Sequence, residues 1–199
     1  MTWTSRFLAV PTARLRSDDD VQASPKASAQ HMREYMSNVP AVYKCICEGA
    51  GPAQFDAMRG SSDPQLKAVG DAYHHLFSPA GVDHRIEAEL VDGKGLVVTR
   101  GRHRVEAAKQ LALPYVPVHV RTPDDRTLEA VTRTCEVEAG VPTVVEAQRR
   151  LDAEHRAARD LADGRVIRGE THKESRRPDS QRNSVATPDR ANARRERTR

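Results

Sequence analysis

One stretch in the middle of the chain limits the fold more than any other. Leu96, Val97, Val98 and Thr99 are followed by Arg100 and Gly101, and then by Arg102, His103, Arg104, Val105, Glu106, Ala107 and Ala108. A β-branched run that meets a glycine and continues as helix-forming sequence reads as strand, tight turn and helix. Pro114 breaks that helix, and Val116, Val118 and Val120 then alternate along a second strand at 115–121. A chain built around this unit belongs to the mixed α/β (α+β) class. The turn also has a chemical bias. Glycine lets the chain reverse sharply and lets a ligand approach the backbone. The first N–H groups of a helix and its positive dipole end suit an anion. Arg102 and Arg104 add two permanent cations and His103 an imidazole, so phosphate is the anion best matched to residues 101–104.

The flanking sequence supplies further elements. The apolar run 7–10, stopped by Pro11, reads as an edge strand. Ser24-Pro25 is a helix start, and Met32, Met36 and Val39 place one apolar face on a helix at 27–38. Pro40 is expected to end that helix, and the β-branched and aromatic run 41–47 reads as a strand. Residues 51–81 look helical. Asp63-Pro64 gives a second cap, and Leu66, Val69, Tyr73, Leu76 and Phe77 form a helical stripe. Asp92-Gly93 between extended runs at 85–90 and 96–99 is a hairpin signal. Asp124 or Asp125 caps a helix with Leu128, Val131 and Cys135 on its apolar face. Thr143 and Glu146 have capping-box spacing and open a last helix ending at Gly164. Its stripe (Val144, Ala147, Leu151, Ala158, Leu161) is thin enough to need the core or another chain against it.

Charge divides the molecule. Of 199 residues, 38% are apolar and 30% charged, a low apolar share that implies an unfolded portion. The formal charge is +4, yet residues 165–199 alone hold eleven Lys/Arg against five Asp/Glu. The rest is therefore slightly acidic, and the basicity belongs to a tail expected to be disordered. No apolar run approaches the ~18–20 residues of a membrane span, so no membrane role is expected. The first residues lack the pattern of a secretory signal. Three cysteines, an odd number, suit a reducing, cytoplasmic setting.

The unit around Gly101 resembles the ParB/sulfiredoxin superfamily. Its members share a strand, a G-x-x-R turn opening an R-x-x-A-A helix, and a V-P-V strand. Gly101, Arg104, Ala107, Ala108 and Val116-Pro117-Val118 occupy those positions. The resemblance covers residues 6–122 and implies a mixed sheet flanked by helices. The expected division is a domain at 1–140 with a helical insertion at 51–81, a helix at 141–164, and a basic tail at 165–199. It further implies a nucleotide, CTP or ATP with Mg²⁺, held by Gly101, Arg102, His103 and Arg104. His103 is a weak catalytic candidate and no catalytic residue is otherwise assigned. Sulfiredoxins carry a nucleophilic cysteine where this chain has Arg102, which disfavours sulfinic acid reduction. Partition proteins carry a glutamate there that serves hydrolysis. The downstream E-N-x-x-R segment and a helix-turn-helix reader are also missing from this sequence.

The resulting expectation is a nucleotide-responsive, DNA-associated protein. NTPase or nuclease activity stays open, and Arg176, Arg177, Arg194, Arg195 and Arg197 of the tail would add affinity for DNA phosphates. The alternative is a non-catalytic adaptor that docks a partner protein, or a second copy, through 143–163. A phosphotransfer enzyme of the family's kinase-like branch ranks behind both, for want of an acidic catalytic group. Cys45, Cys47 and Cys135 with His74 and His75 have no recognised zinc spacing, and no metal site is expected. On a strand, Cys45 and Cys47 would share Tyr43's core face. Glu106 reads as a solvent-facing glutamate near a helix start, and His119 as a surface or internally satisfied histidine.

Overall fold

The computed structural model describes residues 3–17, 26–81 and 84–164. The Ser24-Pro25 cap and the tail with Arg176, Arg177, Arg194, Arg195 and Arg197 lie outside the described residues. The Asp92-Gly93 turn joins β3 (Ile86–Val91) to β4 (Gly95–Arg100) as an antiparallel hairpin. The helix after Gly101 carries the chain past β3, and β5 (Tyr115–Thr122) lies parallel to it with Val118 opposite Ile86. β1 (Thr4–Pro11) closes that side antiparallel to β5, from Thr4 opposite Thr122 to Pro11 opposite Tyr115. A two-residue strand, β2 (Leu15–Arg16), pairs in parallel with β4 at the far edge. The result is a mixed five-stranded sheet in the order β1-β5-β3-β4-β2, flanked by helices. β1 is indeed an edge strand. Phe7, Leu8, Ala9 and Val10 are all buried, as a strand covered on both faces requires.

Among the described residues seven α-helices pack around it: α1 (Lys26–Ser37), α2 (Val39–Cys47), α3 (Pro52–Arg59), α4 (Pro64–Leu76), α5 (Arg102–Gln110), α6 (Asp125–Ala139) and α7 (Pro142–Ala162). The expected helices at 51–81 are α3 and α4, and Asp63 caps α4 by accepting from Gln65 N at 2.8 Å. Gly70 lets these two helices touch. A Cβ there would sit 2.6 Å from Arg59 N and 2.7 Å from Phe55 O. That approach stacks Phe55 on Tyr73 at 3.9 Å between centroids, at a glycine cost of ~1 kcal/mol in a helix interior. The stripe on α4 starts later than expected, because Leu66 is exposed.

Residues 41–47 are not a strand. They belong to α2, in which Pro40 sits in the first turn, where a missing N–H costs nothing, and begins the helix instead of ending one. Val39, Val42, Tyr43 and Ile46 are buried at helical spacing, and α2 packs on α4 and α7. Cys45 and Cys47 therefore point in nearly opposite directions instead of sharing a face. Burial raises the Cys45 thiol above its ordinary value, and the Cys47 thiol donates to Thr143 O at 3.1 Å.

The last helix also differs at its start. Val141 is the cap residue and Pro142 the first helical position, with no side-chain cap bond, so Thr143 and Glu146 form no capping box. Glu146 instead faces Arg150 at 3.5 Å. Val144, Ala147 and Leu151 are buried against β1 and α2, so the chain's own core covers most of the thin stripe, while Leu161 is 68% exposed. Asp124 caps α6, accepting from Thr127 N at 2.8 Å, and buries Leu128 and Cys135 as expected.

Candidate functional site

β4 ends at Arg100, Gly101 turns the chain, and α5 begins at Arg102. Gly101 has φ +85° and ψ 23°, the left-handed region that L side chains avoid. Space forbids a side chain as well. A Cβ would lie 3.1 Å from both Arg85 O and Ile86 Cα, which are backbone atoms of the neighbouring strand segment. Arg104 N and Val105 N both bond Gly101 O, at 2.9 and 3.2 Å, so the helix closes its first turn on this glycine. Val105, Ala107 and Ala108 are buried and fix α5 to the core.

His103 is exposed and Arg102 half-buried, as is Arg104. Arg104 Nη2 donates to His84 Nδ1 at 3.3 Å. A guanidinium only donates, so His84 presents a lone pair there and carries its proton on Nε2. Burial pushes Arg104 below its ordinary value, and the Arg100 guanidinium pushes the same way, against a smaller opposing effect of the Tyr35 phenol. The group stays charged, because an arginine does not lose its proton in a protein. A half-buried guanidinium with a second, exposed one near it favours a bound anion.

Three aromatic groups line the approach to Arg104. His84 and His75 have ring centroids 4.7 Å apart, and His75 lies 4.6 Å from Tyr35 of α1. The Tyr35 hydroxyl is bonded to His31 Nε2. Burial, then Asp71, raises the Tyr35 phenol, and burial, then His84 and His74, lowers the His75 imidazole. His75 Nδ1 is buried without a hydrogen-bond partner, an unmet polar atom of the kind that a ligand or water satisfies.

The structure thus places Gly101, Arg102, His103 and Arg104 on one turn, and brings to it Tyr35, His75 and His84, which sequence reasoning missed. His31 and Tyr35 stand four residues apart on one helix face, which the sequence does show. Nothing in it ties them to residues 75, 84 and 104. Glu106 is exposed and accepts from Gln110 Nε2 at 3.3 Å. His119 is half-buried in β5, away from this turn.

Among the described residues, no helix is long and apolar enough to cross a membrane, and no three His, Cys, Asp or Glu side chains converge as a metal site. No family model matches the chain, and no curated protein matches it. Among solved structures, it is similar to the C-terminally truncated chromosome-partitioning protein ParB from Caulobacter crescentus, complexed with CTP-γ-S. The identity is 16% and the TM-score 0.27, over 68% of this chain and 52% of that one, so the chain spans about half the length of that protein.

Proposed function

We propose that the 101–104 turn binds the phosphates of a nucleotide, and that the protein is a ParB/sulfiredoxin-like, nucleotide-binding, DNA-associated protein. One observation carries the reading. A glycine that backbone contacts keep bare opens a helix, and three residues later Arg104 stands half-buried near Arg100. A phosphate placed there meets helix N–H groups and the guanidinium together. The aromatic lining at Tyr35, His75 and His84 offers faces for a base or sugar.

In this reading residues 1–140 form the nucleotide-binding domain, 141–164 a helix that packs on it, and 165–199 a basic segment that adds affinity for DNA. CTP and ATP are the candidate nucleotides, with Mg²⁺ to shield their phosphates. The proposal is one of binding, and it assigns no bond-breaking step. The test is titration of the full chain with CTP, ATP and GTP, with and without Mg²⁺, repeated with Arg104→Ala. Saturable binding that this substitution weakens roughly thirtyfold supports the reading. Binding of none of them, or binding indifferent to the substitution, sinks it.

A further inference from the structure

A second concave site lies elsewhere, between the start of β1, the middle of β5 and the C-terminal half of α7. Its volume is about 370 Å³, within the range of small-molecule pockets. Four arginines line it: Arg6, Arg85, Arg156 and Arg159. Two carboxylates, Asp125 and Asp152, face them. Both acids have other partners, since Asp125 accepts from Thr4 Oγ1 at 2.6 Å and Asp152 from Gln148 Nε2 at 3.2 Å.

The arginines are bonded mainly to neutral oxygens. Arg6 Nη1 donates to Thr132 Oγ1 at 3.3 Å, Arg85 Nη2 to Pro79 O, and Arg156 Nε to Asp152 O of the backbone at 3.2 Å. A guanidinium has five N–H donors, so each bond leaves capacity for a ligand. Arg85 shows it directly: its Nε is buried with no hydrogen-bond partner. Unmet buried donors are rare in folded proteins and call for an explanation. The two imidazoles in the wall, His119 and His155, add no charge at neutral pH, because burial holds both down at about 4. Among the lining side chains, four guanidinium groups against two carboxylates leave two positive charges, with the Glu87 carboxylate acting on Arg85 from outside the lining.

We propose that this cleft binds a small phosphomonoester, with its dianionic phosphate on Arg85 and the other three arginines around it. A dianion cancels the excess charge, which one carboxylate or one phosphodiester would not. The space exceeds that of a bare phosphate and is walled on one side by Phe7 and Leu128, both buried, so it takes a sugar-sized group behind the phosphate. The site is separate from the turn. The backbone oxygen of Arg85 lies close against Gly101, while its side chain lines the cleft. Binding in the cleft is therefore independent of whether the turn holds a nucleotide.

The test is calorimetric titration of the full chain with a pentose phosphate, orthophosphate and an unphosphorylated single-stranded oligonucleotide. The same titrations are run with Arg104→Ala, with Arg85→Gln, and with the pair Arg156→Gln and Arg159→Gln. Arg156 and Arg159 are exposed on α7, so the double variant keeps the fold, and a melting curve checks it. The expected result is one pentose phosphate site, competed by orthophosphate. The double variant weakens it on the order of tenfold or more, Arg85→Gln weakens it further, and Arg104→Ala leaves it in place. Absence of pentose phosphate binding overturns the proposal. So does binding that Arg104→Ala removes and the double variant spares. Tighter binding of the oligonucleotide through Arg156 and Arg159 would make the cleft a nucleic-acid surface and overturn it equally.

Discussion

The turn at Gly101 and the cleft at Arg85 both hold partly desolvated arginines, but they are built in different ways. The turn uses backbone: a left-handed glycine, a helix start, and one inward side chain carried on the same helix. The cleft uses side chains alone, brought from β1, the segment before β3, and α7. A site made of backbone is destroyed by changing its geometry, whereas a site made of side chains is destroyed by changing its charge. Substitutions and pH should therefore act on the two in opposite proportions.

The largest effect belongs to the turn. Gly101→Val forces a β-branched residue to φ +85° and drives its Cβ against Arg85 O and Ile86 Cα, neither of which can swing aside. The strain and overpacking together should cost about 4 kcal/mol, read as a lower urea midpoint at unchanged slope. Nucleotide binding should go with it. A variant as stable as the parent would mean that nothing in the backbone holds the turn, and the contrast between the two sites would collapse.

Next comes pH, which should act on the cleft. The His119 and His155 imidazoles are held at about 4 by burial, below the ordinary 6.5. The unfolded chain then binds more protons than the folded one between these values, so stability is lost as pH falls from about 6.5 to about 4. Asp152, raised to about 6 by burial, works the other way over nearly the same window and cancels part of the loss. His119 keeps some of its surface in solvent, so its share is the smaller. The net loss should be on the order of 3 kcal/mol, followed by melting temperature between neutral pH and pH 4. Replacing His155 by Leu should flatten most of that slope. Burial also lowers His75 beside Arg104. If a His75 variant flattens the curve instead, the acid-sensitive region is the turn.

The same contrast explains what the sequence discloses. Gly101, Arg104, the Asp92-Gly93 hairpin and the Val116-Val118-Val120 alternation are contiguous signals, read from neighbours along the chain. Residues 41–47 misled because Val42, Tyr43 and Ile46 satisfy strand composition as well as helix spacing. What decides for a helix is burial of Val39, Val42, Tyr43 and Ile46 against α4 and α7, a tertiary fact that overrides local preference. Strand β2 is too short to leave a pattern. Arg156 and Arg159 stand three apart on α7, but nothing in the sequence ties them to Arg6 and Arg85, and Tyr35, His75 and His84 meet only once α1 has docked against α4 and α5. Such sets are visible only in the folded chain.

Arg104→Ala comes third in size and separates binding from folding. Its guanidinium is half-buried beside Arg100, so its removal relieves repulsion and should leave the urea midpoint equal or higher. Nucleotide affinity should fall by about 2 kcal/mol, roughly thirtyfold, the worth of a charge-assisted hydrogen bond to phosphate. A variant that unfolds more easily and still binds would make Arg104 a structural residue.

The smallest effect is the most selective. Asp124 caps α6 by accepting from Thr127 N at 2.8 Å and Thr127 Oγ1 at 2.7 Å. The first turns of that helix contribute Asp125 and Leu128 to the cleft and nothing to the Gly101 turn. Asp124→Ala should lower Tm by only a few degrees, since an exposed cap supports one helix end. The fraying should still loosen the cleft wall, because Asp125 is bonded to Thr4 of β1 through that same turn. Pentose phosphate affinity should therefore drop several-fold while nucleotide affinity holds. Equal losses at both sites would show that the two share one cooperative unit, and the division between a backbone-built site and a side-chain-built one would not extend to their dynamics.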